Sequence, residues 1–183
     1  MRRSLGRSVD EPVELEITRM RRRHLKGVMS IERRVYPRPW SPNLFLSEMS
    51  ELRNRMYLVA RVNREVVGYG GIMCYGDEAH VTTIAVDPDH HRRKIGTRIM
   101  YELVQEAVRM GARAVSLEVR VSNWGAQRLY SRFGFRPVGI RKNYYQETGE
   151  DAVVMWVDEV RSPEYRVRLD RIIEQVPFGI RPS

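Results

Sequence analysis

Cysteine is almost missing from this chain: Cys74 is the only one, so no intrachain disulfide can form. A free thiol fits a reducing compartment, and the expected location is cytoplasmic. Cys74 itself lies in an apolar, strand-like run, where a free cysteine reads as a small buried hydrophobe. Long apolar runs are missing too: nothing approaches the roughly 18 residues of a membrane span. The N-terminal stretch MRRSLGRSVDEP lacks the apolar segment of a signal peptide and reads as a loose tail. Histidine is scarce, and His24, His80, His90 and His91 show no HxxxH or mixed His/Cys spacing, so no metal is expected. Acid is scarce in one place. Arg19, Arg21, Arg22, Arg23, Lys26, Arg33, Arg34 and Arg38 share a segment in which Glu32 is the only acid. Such a patch favours polyanions, whether nucleic acid, the ribosome or a phosphorylated cofactor. A solvated helix face is the plainer reading. The segment lacks the interleaved aromatics that stack on bases, which argues against a dedicated nucleic-acid binder.

What is present is ordinary for a globular domain. The 183 residues are 42% hydrophobic and 30% charged, with a net charge of +9. That is enough chain for one hydrophobic core. Glu14–Thr18 alternates as a strand, and His24–Val35 carries apolar residues near helical spacing. Ser41 before Pro42 is a helix-start signal, opening a short helix to about Leu52. Tyr57–Val62 and Val66–Cys74 flank a turn and read as a hairpin, and Gly68, Gly70 and Gly71 within it suggest a bulge or close packing. His80–Val86 is the next strand. Gly96–Met110 is a helix, with Ile95, Ile99, Leu103 and Ala107 four apart on one face, stopped by Gly111. Ala114–Val119 is a strand and Gly125–Phe133 a helix, followed by strands at Arg136–Arg141 and Ala152–Val157. The order β-α-α-β-β-β-α-β-α-β-β is that of one mixed α/β domain. Residues 162–176 form an appended helix whose apolar stripe must dock on the domain or on a partner. The division expected is a flexible tail over 1–12, a domain over 13–160 and a helical extension over 161–183.

Two segments carry the functional signal. Thr83–Thr97, TIAVDPDHHRRKIGT, reads as strand, turn, basic loop and helix start. A helix N-terminus binds phosphate because its first N–H groups lack intrahelical partners and the helix dipole is positive there. The second segment is Leu117–Phe135, LEVRVSNWGAQRLYSRFGF. In its strand Ser116 and Glu118 point to one face, while Val115, Leu117 and Val119 point to the other.

These segments, with PRPWS at Pro37–Ser41 and IRKNYY at Ile140–Tyr145, resemble the GNAT superfamily of N-acetyltransferases. The closer resemblance is to the RimI-like, ribosomal-protein-alanine N-acetyltransferases, over Leu15–Glu159, about four-fifths of the chain. It implies an α/β GNAT fold with acetyl-CoA as cosubstrate and no metal. The donor site it implies comprises Ile84, Ala85 and Val86, the loop His91, Arg92, Arg93, Lys94, Ile95, Gly96 and Thr97, and Asn123 and Tyr130. The family loop reads Gln/Arg-x-x-Gly-x-Gly/Ala. Here His91 replaces the first residue and Lys94 the first glycine, and a negative φ is expected at Lys94. A positive φ there would cost roughly 1–2 kcal/mol.

The resemblance also implies an acyl transfer to an amine, with Glu118 as general base and Tyr130 as general acid toward the leaving thiolate. Backbone N–H groups of Thr83–Val86 would hold the developing oxyanion. Trp40, Tyr144 and Tyr145 would line the acceptor groove. The residues alone leave open a solvated Glu118, a core Tyr130 and an Asn123 that merely caps a helix. At pH 7 roughly a tenth of an α-amine is neutral, against well under a thousandth of a lysine side chain, so an N-terminus asks less of its base. The expected acceptor is the N-terminal alanine of a small-subunit ribosomal protein. Ribosome or RNA contact would run through Arg19–Arg38, with no membrane partner. Lysine or small-amine acetylation, and an idle acyl-CoA-binding regulator, are the alternatives.

Overall fold

The computed structural model describes residues 13–51, 53–176 and 179–180. The expected tail over 1–12 lies outside them. The strands are β1 (Val13–Arg19), β2 (Arg55–Val62), β3 (Glu65–Tyr75), β4 (Glu78–Val86), β5 (Ala114–Arg120), β6 (Arg136–Tyr145), β7 (Glu150–Val157) and β8 (Gly179–Ile180). The helices are α1 (Leu25–Val35), α2 (Pro42–Ser50), α3 (Ile95–Arg109), α4 (Trp124–Arg132) and α5 (Pro163–Glu174). One mixed sheet runs in the order β6-β7-β5-β4-β3-β2-β1-β8.

Every neighbouring pair is antiparallel except β4 and β5. That parallel pair is registered only at Glu78↔Ala114, Ala79↔Val115 and His80↔Ser116. Beyond it β4 continues on β3 to Val86, while β5 continues on β7 to Arg120. The sheet therefore splays open between Val81–Val86 and Leu117–Arg120. A register shift opposite Gly71 and Ile72 leaves Thr82 without a partner on β3, a bulge that adds local twist to β4.

Two cores form on the two faces. Val28, Ile31 and Phe45 from α1 and α2 pack with Tyr57, Val59 and Tyr69. On the other face Ile95, Ile99, Leu103 and Ala107 of α3 are buried with Leu117, Phe133 and Met155, which is the stripe expected from their spacing. Glycine in β3 permits that approach: a Cβ on Gly70 would sit 2.8 Å from Ile99 and 2.9 Å from Leu103.

Local signals explain the helix starts. Ser41 Oγ accepts from Leu44 N at 3.1 Å with Pro42 at the first helical position. Ser162 Oγ accepts from Tyr165 N in the same way. Helix α5 docks on the domain: Tyr165, Leu169 and Ile172 are buried in the larger core, and Tyr165 Oη donates to the Phe133 carbonyl at 2.8 Å. Strand β6 extends past the expected Arg141 to Tyr145. Asp151 holds the extension by accepting from Lys142 Nζ at 2.7 Å and Asn143 N at 2.8 Å, with Asn143 at φ +50°. The two-residue β8 carries no periodic signal and was not expected.

Candidate active site

The splay holds two cavities that meet at Ile84, Asn123 and Tyr130. The first, of about 790 Å3, lies between the start of α3 and helix α4. The second, of about 520 Å3, lies between β5, the C-terminal end of α1 and the β6–β7 hairpin.

The larger cavity is lined by Ile84, Ala85, Val86, His91, Arg92, Lys94, Ile95, Gly96, Thr97, Asn123 and Tyr130. Arg93 is half-buried and does not line it. No Asp or Glu lines it, whereas Arg92, Lys94, Arg128 and Arg132 do. The first intrahelical bond of α3 runs from Arg98 N to the Lys94 carbonyl at 3.0 Å, and no side chain caps the helix. The N–H groups of Ile95, Gly96 and Thr97 thus precede the first intrahelical bond and have no carbonyl partner within the helix.

Lys94 has φ +63° and ψ +11°, left-handed backbone, which corrects the expectation of a negative φ. Arg92 has φ +60°. A left-handed residue directly before right-handed helical residues, as Lys94 stands before α3, is the backbone pattern of an anion nest. The loop therefore keeps the glycine conformation with lysine in it, at roughly 1–2 kcal/mol. Arg34 of α1 secures the loop from the other side, bonding Asp87 at 2.8 Å and Asp89 at 3.0 Å.

The smaller cavity is lined by Glu32, Trp40, Glu118, Tyr144, Tyr145 and Glu147, among others. The Glu118 carboxylate is clamped on both oxygens. Oε1 accepts from Arg141 Nη1 at 2.7 Å, and Oε2 lies 3.0 Å from His80 Nε2. His80 Nδ1 is 2.9 Å from Ser116 Oγ. With a proton on Nε2 the imidazole donates to Glu118, while Nδ1 is in hydrogen-bond contact with the serine hydroxyl. The His80 hydrogen bond, then charge from His80 and Arg141, hold the Glu118 carboxyl below its ordinary range despite partial burial. Glu118 is thus no solvated strand carboxylate: its side chain is 10% exposed.

Tyr130 is 5% exposed and lines both cavities. Burial pushes its phenol well up, so it keeps its proton at neutral pH. It packs on Phe135 with ring centroids 6.1 Å apart and still reaches both cavities. Asn123 caps α4, its Oδ1 accepting from Ala126 N at 3.0 Å, while also lining both cavities.

Trp40, Tyr144 and Tyr145 all line this cavity. The two tyrosine rings stand nearly perpendicular at 5.1 Å, and Arg120 stacks on Tyr145 at 3.8 Å. Arg120 also pairs with Glu147 at 2.6 Å and Glu150 at 3.1 Å, tying the hairpin to β5. The groove's carboxylates are therefore largely matched by cations, and the groove is not strongly acidic.

Glu32, Tyr36 and His80 are among the lining residues that the sequence does not disclose. Glu32 is 2% exposed; its carboxylate accepts from Trp40 N at 2.8 Å and from the Tyr69 hydroxyl. Burial pushes its carboxyl up. Its signal was its place four residues after buried Val28, the one acid on an apolar helix face. Tyr36 donates to the Ile84 carbonyl at 3.0 Å on the open edge of β4. His80 was weighed only as a metal ligand. Among the described residues no group of three or more His, Cys, Asp or Glu could hold a metal.

Residues 25–135 match the family model "Acetyltransferase (GNAT) family". The ribosomal protein bS18-alanine N-acetyltransferase of Escherichia coli is 35% identical over 72% of this chain and 88% of that relative. The N-alpha-acetyltransferase RimI of Mycobacterium tuberculosis is 42% identical over 64% of this chain and 74% of that protein. The crystal structure of the Escherichia coli ribosomal-protein-S18-alanine N-acetyltransferase superposes with a TM-score of 0.72 at 31% identity, covering 79% of this chain and 94% of that one. Fold, cavities and sequence agree, and the chain belongs to the GNAT family of acetyltransferases.

Proposed function

We propose that this protein transfers the acetyl group of acetyl-CoA to the N-terminal α-amine of a small-subunit ribosomal protein, with alanine as the first residue. The observation that carries the reading is the meeting of two unlike cavities at Tyr130: a basic one with an open helix start, and an aromatic one holding a clamped carboxylate. The relatives named for bS18-alanine acetylation supply the acceptor class.

The donor fits the larger cavity. The N–H groups of Ile95, Gly96 and Thr97, with Arg92 and Lys94, hold its pyrophosphate. The open edge of β4 over Thr83–Val86 accepts an extended arm. Acetyl-CoA, when bound, supplies an activated acyl carbon and a thiolate leaving group. The neutral amine attacks, Glu118 takes the proton that its nitrogen loses as the amide forms, and His80 and Arg141 fix the orientation of that carboxylate. Tyr130 holds a proton where the sulfur would lie. Trp40, Tyr144 and Tyr145 flank the acceptor chain.

The exposed arginines Arg19, Arg21, Arg22, Arg23 and Arg33 support a contact with ribosomal RNA beside the substrate. Among the described residues no helix is long and apolar enough to cross a membrane, and the cytoplasm is the compartment this function requires.

Intact-mass analysis tests the reading. Peptides with a free N-terminal alanine, N-blocked lysine peptides and polyamines are each incubated with protein and acetyl-CoA. The expected result is one acetyl shift confined to the free N-terminal alanine. Shifts confined to lysine peptides or polyamines would replace the acceptor class.

A further inference from the structure

Helix α5 lies beyond the family match, which ends at residue 135. One of its faces is buried in the core. The flank facing α4 carries Glu164, Arg168, Arg171 and Gln175 at three- and four-residue spacings, so they share one side of the helix. With Arg132 they line a cleft of about 360 Å3 between α4 and α5. Arg132 also lines the donor cavity and joins the two spaces. Its guanidinium donates to Gln175 Oε1 at 3.0 Å, and Arg168 Nη1 donates to the Arg132 carbonyl at 3.4 Å. Arg128, one helical turn earlier on α4, lines the donor cavity as well.

The balance of charge in this cleft continues that of the donor cavity and differs from that of the smaller one. At the smaller cavity arginines are matched by carboxylates, as Arg120 is by Glu147 and Glu150 and Arg141 is by Glu118. In the cleft three arginines face a single acid, Glu164. Coenzyme A carries a second anionic group besides its pyrophosphate, a phosphomonoester on the ribose with a charge of about −1.5 to −2. The start of α3 accounts for the first group only. Arginine forks match the tetrahedral oxygens of a phosphate.

We propose that the cleft between α4 and α5 binds the 3′-phosphate of coenzyme A, with Arg132, Arg168 and Arg171 supplying the cations. The proposal rests on the donor reading above. It gives α5 a function in donor selection that the matched family region does not contain.

Calorimetric titration of the full chain with coenzyme A and with 3′-dephospho-coenzyme A tests it without any turnover. Coenzyme A is expected to bind about tenfold more tightly than the dephospho form, by a margin that narrows with salt. The double variant Arg168→Gln/Arg171→Gln is expected to lose most of that margin through weaker binding of coenzyme A alone. Both side chains are exposed, and an unchanged thermal melting curve shows the fold retained. Equal affinity of the wild type for both ligands would overturn the proposal. So would a margin that survives the double variant and disappears in Arg128→Gln, which would seat the phosphate on α4 alone. Binding of neither ligand would overturn the donor reading, and the subsite with it.

Discussion

The two cavities are built in opposite ways. The donor cavity is made largely of backbone: an open edge on β4, a left-handed loop and the uncapped start of α3. Helices α2, α4 and α5 begin with a side-chain cap from Ser41, Asn123 or Ser162, whereas α1 and α3 do not. The acceptor cavity is made of side chains in pairs: Glu118 with Arg141 and His80, Arg120 with Glu147, Glu32 with the Trp40 amide. A backbone site tolerates changes of side chain and suits a donor that is always the same. A paired side-chain site alters with each substitution and suits an acceptor that must be told from others.

Substitutions that break one cavity and spare the other sharpen this contrast. The largest effect is expected from Glu118→Gln. Loss of a general base lowers kcat/KM by about 10²–10⁴, while the affinity for coenzyme A, read by calorimetry, stays unchanged. Tyr130→Phe stands at the junction. About a hundredfold loss of kcat is expected, with both KM values close to those of the wild type in steady-state kinetics.

Arg141→Ala acts only on the acceptor side. It removes a cation from Glu118, so the carboxyl rises toward its ordinary value and the acid limb of the kcat/KM–pH profile moves upward. The sign for stability follows the same linkage. A lowered carboxylate contributes stability above its unfolded value and loses it as pH falls through the folded one. Wild type is thus expected to lose stability with acid over a window reaching below the ordinary glutamate range, and Arg141→Ala to lose less there. Denaturant titrations across that range check it. The smallest effect is expected from Lys94→Gly. Relief of the left-handed lysine stabilises by up to about 1 kcal/mol in thermal unfolding, while loss of its charge weakens coenzyme A binding a fewfold.

The donor cavity was the more legible of the two in the sequence, for the same reason that it is made of backbone. A strand end, a basic loop and a helix start are local, and TIAVDPDHHRRKIGT displays them in one run. What that run did not disclose was the conformation of Lys94. The side chain argues for negative φ, and the surrounding loop overrides it. The acceptor cavity draws on residues as distant as Glu32 and Glu147. Glu118, Trp40, Tyr144 and Tyr145 were reached by resemblance. The clamp from His80 was not, since a parallel register of three residues brings His80 beside Ser116 and no periodicity in the sequence reveals it. The stripe of α5 favours docking on the domain, as the structure has it, but does not reveal which elements it meets: an apolar stripe says that a helix must pack, not on what.

The central claim is that donor and acceptor sites are distinct and meet at Tyr130. A conjugate that joins coenzyme A through its sulfur to the N-terminus of an alanine-first peptide tests it directly. Occupying both cavities at once, the conjugate is expected to bind about a hundredfold or more tightly than coenzyme A alone, and Trp40→Ala to remove much of the gain. Affinity no better than that of coenzyme A would contradict the claim.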